Sequence, residues 1–404
     1  MTPNNNSIDQ DHRCDVIIVG GGMVGLATAL RLARSGIKVA MLEASLPKET
    51  MHHNSFDSRT LVVNPASRQF WQDLGIWQSI SQSAAVIDQV HVSNQGHFGT
   101  VLFDKNEFSV EALGHVVEAQ VLGGVLWQQV KKTTGVHLIA PAELTAFEVS
   151  DEHVTVQFKH QQLSQKLQAR LLIAADGAQS SIRQQLNLPT HTKAYEKTAI
   201  ICNLKTEQPH RNRAYERLTR TGPFALLPFG DRMGLVWSNT HEQAGRLLAM
   251  DEGRFINAAQ AAFGQRLGRF MQIGQRHSYP LHQVRVERQY ANRVVLMGNA
   301  AHAVSPVSAQ GLNLAVRGVR RLTQLLTEAH AHGGDLGAEK LLAEYQVASL
   351  PDQQQVLNYT DDLMTWFKID EPVIAGLRSL GLLAIDSSPT LKKRLYELAG
   401  GLNY

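Results

Sequence analysis

The feature that most constrains the fold is an apolar segment that runs directly into a glycine-rich turn near the start of the chain. Asp15–Val19 (DVIIV) has the pattern of a strand buried on both faces of a parallel sheet. The turn Gly20–Gly25 (GGGMVG) follows, and Leu26–Ser35 then repeats apolar residues at helical spacing. Lys38–Leu42 (KVAML) is a second buried strand and ends at Glu43. This order of strand, glycine turn, helix, strand and acid predicts a unit that binds an adenine dinucleotide.

Four residues of this unit each meet a physical requirement of dinucleotide binding. Gly20 permits the tight turn, Gly22 lets the backbone approach a pyrophosphate, and Gly25 allows the helix to pack closely on the strand. The helix N-terminus offers unpaired N–H groups and a partial positive charge to the phosphates. Glu43 lies about 20 residues further on, where an acid accepts hydrogen bonds from ribose hydroxyls. The motif alone does not decide between FAD and NAD.

Composition narrows the class of protein. The 404 residues are enough for two domains or one large composite domain. Charged residues make up 19% and hydrophobic residues 43% of the chain, which is typical of a globular protein and argues against long disorder. The formal net charge of +3 is too small to indicate nucleic acid as a partner.

Cysteine content and hydropathy indicate in which cellular compartment the protein is expected. Cys14 and Cys202 form no CxxC pair, so we expect no disulfide scaffold, zinc site or iron–sulfur cluster, and a reducing compartment fits best. The histidines are scattered, and we predict no metal site. The first dozen residues contain no apolar signal segment, and no run of about 18 apolar residues occurs. We therefore expect a cytoplasmic protein, and contact with a membrane surface stays open.

Two further strand-and-turn segments lie far downstream. Leu171–Ala175 is followed by Asp176–Arg183 (DGAQSSIR). Arg293–Met297 opens into Gly298–Asn313 (GNAAHAVSPVSAQGLN). Three strand ends spread over about 280 residues imply one nucleotide-binding domain with insertions, stretched along an extended cofactor.

The insertions and the C-terminus differ in character from this domain. Segments such as His91–Phe103, Val154–Phe158, Ala199–Leu204 and Gly234–Ser238 alternate or carry β-branched and aromatic residues, which mostly predicts an antiparallel second sheet. From Gly334 onward the pattern is largely helical. We place a discontinuous nucleotide-binding domain at 13–80, 105–185 and 285–335, a β-rich substrate domain at 81–104 and 186–284, and a helical region at 336–404.

At this point the residues match a family. GGGMVG with Glu43, DGAQSSIR and GNAAHAVSPVSAQGLN resemble the three fingerprints of the single-component, class A flavoprotein aromatic hydroxylases, in the same order and over nearly the whole chain. The similarity is greatest to the ubiquinone-biosynthesis hydroxylases. The segments 56–63, 90–103, 113–118 and 214–229 are most similar to members that act on 2-polyprenyl-6-methoxyphenol. The resemblance implies an α/β fold: a Rossmann-like FAD-binding domain of the glutathione-reductase type, an interleaved antiparallel substrate sheet and a helical C-terminal region.

The resemblance also implies bound FAD, with NAD(P)H as co-substrate, and assigns cofactor-binding positions along the chain. They are Gly20, Gly22, Gly25 and Glu43 at the ADP part, Arg59 and Gln120 around the phosphates and ribityl chain, Asp176 and Gly177 at the flavin, Asn299 at the ribityl or phosphate region, and Gln310, Gly311, Leu312 and Asn313 at the flavin ring. A surface ion pair for Arg59 and a solvated helix position for Gln120 are the alternatives. Two positions depart from the family pattern: Asn299 replaces the usual aspartate, and Ala309 replaces the usual glycine.

The reaction implied by the family has three parts. NAD(P)H reduces the flavin, O2 adds at C(4a), and the distal oxygen of that hydroperoxide is transferred to an electron-rich phenol. The cofactor performs this chemistry while the protein positions the ring and keeps water out. His302 is a candidate base for the phenol, with packing near the flavin phosphates as its alternative. Pro306 is expected to rigidify the loop on the flavin face.

The C-terminal segment adds a separate signal. Pro372–Ile385 is apolar with one charge, and the basic residues Lys392–Arg394 follow it. This pattern favours either docking on the inner face of an anionic membrane, where a polyprenylated phenol resides, or a core or oligomer interface.

The leading functional hypothesis is a monooxygenase that uses O2 to hydroxylate a polyprenylated methoxyphenol in ubiquinone biosynthesis, in contact with other quinone-biosynthesis proteins. The alternatives are an FAD oxidase or reductase, a hydroxylase of another ring position or of a small soluble aromatic, and a non-catalytic flavin-binding component of the quinone-biosynthesis complex. The departures at Asn299 and Ala309 are the sequence support for the last of these.

Overall fold

The computed structural model describes residues 14–47, 59–305, 309–366 and 372–402. Its strands are β1 (Val16–Val19), β2 (Val39–Leu42), β3 (Thr60–Val63), β4 (Ala85–Ile87), β5 (Gln89–Asn94), β6 (Thr100–Asp104), β7 (Gly114–Glu118), β8 (Val136–Ile139), β9 (Ala142–Val149), β10 (Val154–His160), β11 (Leu163–Ala169), β12 (Leu171–Ala174), β13 (Thr190–Thr206), β14 (Arg213–Leu218), β15 (Pro223–Phe229), β16 (Arg232–Thr240), β17 (Phe270–Ile273), β18 (His277–Val286), β19 (Tyr290–Ala291), β20 (Val294–Leu296) and β21 (His302–Ala303). Its α-helices are α1 (Met23–Arg34), α2 (Pro65–Asp73), α3 (Trp77–Ser81), α4 (Ala119–Lys132), α5 (Ser181–Gln185), α6 (His241–Ala249), α7 (Glu252–Phe263), α8 (Gly311–Ala331), α9 (Glu339–Trp366), α10 (Pro372–Asp386) and α11 (Pro389–Gly400).

The apolar segments predicted as buried strands form a central, mainly parallel sheet. Its strand order is β19-β20-β12-β1-β2-β8. Only the short edge strand β19 runs antiparallel to its neighbour. Every residue of β1, β2 and β12 is buried, as expected for strands covered on both faces. The carboxyl ends of β1, β12 and β20 therefore lie side by side, and the three glycine-containing segments follow from them.

Different layers cover the two faces of this sheet. On one face α1, α4 and α8 pack through residues such as Leu30, Leu122 and Leu322. On the other face lies the antiparallel sheet β11-β10-β9, which contributes Val156 and Phe158 to a second core. Val154–Phe158 therefore belongs to this covering layer. The sequence pattern predicts it as part of the larger second sheet, and that assignment is wrong.

A second sheet is built from the insertions. Its path runs β21-β18-β13-β16-β15-β14-β5-β6, with β17 pairing on β13. All of its strand pairs are antiparallel except β14 with β5. The helices α6 and α7 pack on one face through an apolar core that includes Phe224, Trp237 and Phe255. The α/β class with an interleaved antiparallel sheet is thus confirmed.

A three-stranded sheet, β3-β7-β4, stands between the two large sheets. The segment predicted at 81–104 divides accordingly: β4 joins this small sheet, while β5 and β6 join the large one. The strand β21, which lies within the stretch assigned to the nucleotide-binding domain, pairs with β18 of the large sheet. The two units are therefore joined by hydrogen-bonded strands as well as by the chain.

The helical C-terminal region covers the other face of the large sheet. Buried Asp352 on α9 accepts hydrogen bonds from Arg317 Nε at 2.7 Å and Arg321 Nη1 at 2.8 Å, both on α8. Such charge-assisted contacts fix the angle between the two helices. Farther along α9, the carbonyl of Leu357 accepts a hydrogen bond from Gln283 Nε2 on β18 at 3.1 Å.

The next helix, α10, packs on β5 and β6. A β-carbon on Gly99 would lie 2.4 Å from the carbonyl oxygen of Ser379, which indicates a close approach of the two backbones. The backbone N–H of Leu102 donates to Asp386 at 3.2 Å. Within the described ranges, no helix is long and apolar enough to cross a membrane.

One basic residue of the predicted membrane-docking segment has a different role. Lys392 is buried and pairs with Asp386 at 2.9 Å and with Glu107 at 3.2 Å. Its ammonium group connects α11 to α10 and to the turn after β6. The expectation that Lys392 attracts anionic lipid is therefore wrong, because its charge is already neutralised inside the protein. Lys393 and Arg394 remain exposed.

Candidate active site

A cavity of about 510 Å³ lies between the carboxyl edge of the parallel sheet and the large antiparallel sheet. Its volume is in the range of small-molecule sites. Both sheets contribute to its wall. From the glycine-containing segments and their surroundings come Gly22, Arg59, Gly177, Asn299, Gly311 and Leu312, and from the large sheet come Ile201, Asn203, Leu227, Gly234, Val236, His277 and Tyr279.

The glycine turn has the geometry that its spacing predicts. A β-carbon on Gly25 would lie 1.9 Å from the carbonyl oxygen of Gly20, so α1 packs on the end of β1 only because this position is glycine. Gly20 has a φ of +110°, which disfavours any other residue. A β-carbon on Gly22 would meet nothing within 4 Å. The space in front of Gly22 is open on the cavity side, where a pyrophosphate is expected.

The N-terminus of α1 is available to a ligand. Gly22 is its N-cap and provides no side-chain hydrogen bond. The Leu26 N–H donates to the Gly22 carbonyl at 3.0 Å, as in the first turn of a helix. The preceding N–H groups of the first turn therefore point toward the open space with the positive end of the helix dipole.

Glu43 lies at the end of β2, directly beside this turn. One of its carboxylate oxygens accepts a hydrogen bond from the backbone N–H of Gly21, and the other accepts one from Ser45 N–H at 2.9 Å. The acid is thus held at the edge of the turn by backbone donors. Its predicted role with the ribose hydroxyls remains a proposal.

The Asp-Gly segment after β12 forms the neighbouring wall. Asp176 Oδ2 is within 3.4 Å of Ile182 N–H, whereas its Oδ1 is buried without a hydrogen-bond partner among the described residues. Gly177 has a φ of +89° and an open β-carbon position, and it lines the cavity. A buried carboxylate oxygen without a partner is costly, so Oδ1 is suited to accept from a bound hydroxyl or N–H.

Arg183, in the same segment, connects it to the third fingerprint. Its Nη2 donates to the Ala178 carbonyl at 2.8 Å, and its Nη1 donates to the Ala300 carbonyl at 2.9 Å. One guanidinium therefore fixes two cavity-lining loops relative to each other.

The third fingerprint begins in a tight turn after β20. Gly298 has a φ of +56°, and a β-carbon there would lie 3.0 Å from Val24 Cγ2. Asn299 is exposed and lines the cavity. Ala309, the other departure from the family pattern, has a φ of +51°. The left-handed conformation explains why glycine is usual there, and it costs alanine about 1 kcal/mol. Both departures are compatible with the local fold.

The start of α8 completes the cofactor side of the cavity. Gly311 and Leu312 line it, and Gln310 is the N-cap without a side-chain capping bond. Asn313 is buried, and its amide is already used: Nδ2 donates to the Val62 carbonyl at 3.0 Å, and Oδ1 accepts from Asn64 N–H at 3.1 Å. A contact of Asn313 with flavin is therefore left to its backbone N–H, while its side chain ties α8 to β3.

The two predicted polar contacts before the second fingerprint lie near each other. The backbone carbonyl of Arg59 accepts a hydrogen bond from Ala119 N–H at 2.9 Å, which brings Arg59 next to Gln120 at the start of α4. Arg59 lines the cavity, and its guanidinium carbon lies 5.8 Å from the ring centre of Tyr279. Gln120 is exposed and is not among the residues that line the cavity.

The structure describes only one of the two candidate catalytic residues, His302 and Pro306. His302 is buried in β21 and does not line the cavity, although its neighbour Ala303 does. Burial lowers the pKa of His302 to about 4, so the imidazole is neutral at physiological pH. The structure therefore favours packing over proton transfer for His302. Pro306 lies outside the described residues.

The residues in and beside the cavity fit bound FAD. The cradle at Gly22 would be filled by a β-carbon, two helix N-termini face the cavity without side-chain caps, and Asp176 has a buried oxygen that needs a donor. Such features suit a pyrophosphate, a ring that carries partial negative charge, and a hydroxylated chain between them.

Comparison with known proteins agrees with this geometry. A family described as "FAD binding domain" matches residues 13–360. The chain belongs to this FAD-binding family. This flavoprotein is 33% identical to the uncharacterized protein slr1300 of Synechocystis sp., over 97% of this chain and 94% of the relative. It is 31% identical to the ubiquinone hydroxylase UbiL of Rhodospirillum rubrum, over 97% and 90%. It is 28% identical to the 3-demethoxyubiquinol 3-hydroxylase of Escherichia coli K12, over 96% and 98%.

Solved structures of a monooxygenase and a hydroxylase show the same fold. The p-nitrophenol 4-monooxygenase PnpA from Pseudomonas putida DLL-E4 superposes with a TM-score of 0.78 at 18% identity, covering 96% of this chain and 98% of that one. The anhydrotetracycline hydroxylase OxyS from Streptomyces rimosus superposes with a TM-score of 0.74 at 22% identity, covering 97% and 76%. The predictions of an FAD-dependent monooxygenase and of FAD as cofactor are confirmed.

The substrate side of the cavity was not predicted residue by residue. Ile201, Leu227, Val236 and Tyr279 come from four strands of the large sheet. The segments of Ile201 and Val236 carry the pattern of strands, which predicts a sheet in this region but not which side chains line the cavity. Which face meets the flavin depends on the strand register, and that is set by pairing between distant parts of the chain.

Replacing Gly22 with valine is expected to remove bound FAD and leave the fold intact. The side chain would occupy the open space required by the pyrophosphate, yet it meets no protein atom. Flavin absorbance per protein, measured after purification, should fall at least tenfold, whereas the thermal unfolding midpoint of the apoprotein should change by only a few degrees. Gly123→Val on α4, where a β-carbon also meets nothing within 4 Å, is the matched control. Normal flavin content in Gly22→Val would refute this view of the turn.

Replacing His302 with leucine is expected to reduce acid sensitivity without a large loss of turnover. The pKa of His302 is lowered from 6.5 to about 4, so its contribution to stability is complete above pH 6.5 and is lost as the pH falls toward 4. That difference corresponds to about 3 kcal/mol at most. The loss of unfolding free energy between these pH values should shrink accordingly in His302→Leu. The exposed His97→Leu serves as control, and a hundredfold fall in kcat with normal flavin content would instead identify His302 as a base.

Proposed function

We propose that this enzyme hydroxylates the ring of a polyprenylated methoxyphenol in ubiquinone biosynthesis, with NAD(P)H and O2 as co-substrates. The proposal is carried by one observation: the apolar face of the large sheet and the cofactor-binding loops form opposite walls of one cavity. An aromatic ring between these walls lies against the flavin. The names of the UbiL and E. coli relatives support a quinone precursor as the substrate class.

The protein's own residues bind and orient the reactants. When bound, FAD would supply the redox chemistry, taking reducing equivalents from NAD(P)H and activating O2. The N–H groups at the start of α1, beside Gly22, would hold the pyrophosphate, and Glu43 would hold the ribose. The N–H groups of Gly311 and Leu312, at the positive end of α8, would stabilise negative charge on the flavin ring.

The sheet side of the cavity serves orientation and the exclusion of water. Ile201, Leu227 and Val236 offer an apolar surface to one face of the ring, and Tyr279 offers an aromatic one. Because α9 and α10 cover the remainder of this sheet face, the reacting ring is shielded from bulk water. Shielding of this kind limits the loss of activated oxygen as H2O2.

Narrowing the apolar wall is expected to impair substrate use without loss of FAD. Val236→Phe adds bulk on the substrate side, opposite the residues assigned to the cofactor. For 2-methoxy-6-prenylphenol, KM for stimulated NAD(P)H oxidation should rise at least tenfold, with flavin content unchanged. The measurement combines NAD(P)H absorbance with mass spectrometry of the hydroxylated product.

The control is Val347→Phe, at an exposed valine on α9, which should behave as the wild type. If wild-type enzyme oxidises NAD(P)H with this phenol but forms only H2O2, the monooxygenase proposal for this substrate class fails. Equal kinetics in Val236→Phe and Val347→Phe would contradict the placement of the substrate.

The substrate class leads to a second proposal, that α10 and α11 contact the surface of an anionic membrane. Leu380, Leu383 and Leu391 are 55%, 40% and 45% exposed, so these helices offer apolar side chains to a partner surface. Lys393 and Arg394 are exposed nearby. Apolar side chains beside basic ones suit an interfacial helix that receives a lipid-soluble substrate.

The double substitution Leu380→Asp with Leu383→Asp is expected to reduce membrane binding, because it places charge in the apolar contact. Sedimentation with vesicles of phosphatidylglycerol and phosphatidylcholine should fall at least fivefold. Leu163→Asp, at an exposed leucine on β11, is the control and should sediment as the wild type. Unchanged sedimentation of the double variant would overturn this proposal.

A further inference from the structure

One acidic side chain lies on the apolar face of the large sheet. Glu216 is in the middle of β14, directly opposite Ala225 on β15. Ala225 is opposite Val236 on β16, and Val236 is opposite Ile201 on β13. Directly opposed residues of neighbouring strands point to the same side of a sheet. Glu216 therefore shares its face with Val236 and Ile201, both of which line the cavity.

The distance along this row is short. Two strand spacings separate Glu216 from Val236, which is about 10 Å between backbones. Glu216 is not itself among the residues that line the cavity, so a phenol that contacts it has to extend along this row from Val236. The neighbouring residue Tyr215 points the other way, since it packs in the core beneath α6 and α7.

The Glu216 carboxyl lacks a hydrogen-bonding partner in the part of the chain that the structure describes. Among the described residues it makes no hydrogen bond and no ion pair, although its side chain is half-buried. Burial raises the pKa of this carboxyl to about 8. A lone carboxyl in an apolar environment weakens the fold, because the group is desolvated without compensation. A structural role does not explain it, whereas a ligand that supplies the missing hydrogen bond does.

The helix above the sheet places a second polar group beside Glu216. Tyr359 on α9 interacts electrostatically with the Glu216 carboxyl, and its pKa is raised to about 12, first by burial and then by this charge. Yet 46% of the Tyr359 surface is accessible. Glu216 and Tyr359 are therefore close to each other, and both retain surface that a ligand can contact.

We propose that Glu216 binds the phenolic hydroxyl of the substrate and accepts its proton, with Tyr359 positioning the carboxylate. The inference rests on the proposed function, because it needs a phenol in the cavity. The phenol O–H bond breaks and an O–H bond forms on Glu216, while the electron pair stays on the ring oxygen. The ring becomes more electron-rich, which favours attack on an electrophilic oxygen. A basic group whose affinity for protons is close to the operating pH suits this task.

Few charged groups compete for this proton. Helix α9 presents Tyr359 to Glu216, and α10 presents no charged side chain among its described residues on this face, since Asp386 pairs with Lys392. Other charged or titratable groups on the same sheet face or across the cavity, within the described ranges, include Lys197, Arg232, His277, Tyr279, His282 and Arg59. Their charges act equally in the variants compared below.

The binding test compares 2-methoxy-6-prenylphenol with its methyl ether on FAD-loaded enzyme, using the change in flavin absorbance to measure Kd. The wild type should prefer the phenol at least tenfold, because the ether cannot donate to Glu216. Glu216→Leu should abolish that preference. Glu216→Gln should retain most of it, since the amide oxygen still accepts a hydrogen bond. Glu242→Gln on α6, at an exposed glutamate behind the sheet, should behave as the wild type.

The kinetic test follows kcat/KM against pH. In the wild type it should rise and level off near pH 8, as Glu216 loses its proton. In Glu216→Gln the levelling should disappear, so that the rate continues to rise with ionisation of the phenol itself. Tyr359→Phe should keep the levelling but move its midpoint. Flavin content reports whether each variant folds.

The outcomes separate this inference from the proposed function. If the wild type neither binds nor hydroxylates the phenol, the proposed function fails. If the wild type hydroxylates it but Glu216→Leu keeps the preference for the phenol, or Glu216→Gln keeps the wild-type pH profile, then Glu216 is not the proton acceptor and this inference alone is overturned.

Discussion

The close contact between Gly25 and the carbonyl oxygen of Gly20 is the constraint on which the rest of the site depends. A β-carbon at Gly25 would overlap that oxygen, so α1 starts directly above the end of β1 only with glycine in this position. The helix axis is thereby aimed at the space beyond the sheet, and Gly22 leaves that space open. Because β12 and β20 run parallel to β1, the loops that follow them reach the same edge. The glycine contact sets the direction of α1, and the parallel pairing of the strands brings the three distant segments to the space that α1 faces.

Rigid links carry this arrangement over to the substrate side. Arg183 joins the Asp-Gly loop to the turn at Ala300, and the same turn continues into β21. That strand pairs with β18 of the large sheet through the register Val284 to Ala303. The wall that faces the flavin and the wall that faces the substrate are therefore parts of one hydrogen-bonded framework. No separate domain movement is needed to bring Ile201 and Val236 opposite Gly311.

The sequence was sufficient for the cofactor half because its requirements are local. Fully apolar strands, glycines with fixed spacing and a terminal acid lie within a few dozen residues, and each has a backbone reason that any sequence of this kind must satisfy. The substrate half depends on long-range register instead. The pairing of β14 with β15 puts Glu216 on the same sheet face as the cavity-lining Val236 and puts Tyr215 in the core beneath α6 and α7. A shift by one residue would exchange the two.

Local sequence patterns also could not predict which distant residues pair with a given side chain. Lys392 belongs to a basic cluster in the sequence that resembles a lipid-binding surface. In the structure, however, Glu107 and Asp386 neutralise its charge inside the protein. Asn313 belongs to a segment that resembles a flavin fingerprint, yet its side-chain amide donates to the Val62 carbonyl on β3. In both cases the residue type was informative and the partner decided the role. Motifs predict best where the backbone itself makes the contact, as at Gly22.

A largely apolar sheet face that carries one carboxyl group beside the cavity combines two requirements that usually conflict. Exclusion of water protects activated oxygen, but the same low polarity makes it costly to charge the phenol that must react. Placing the base inside the apolar region resolves this, since burial raises the pKa of Glu216 toward that of a phenol and proton transfer between them then separates little charge. The cover formed by α9 and α10 consequently serves both purposes. Admission of water would lower the basicity of the carboxylate and shorten the life of the activated oxygen together.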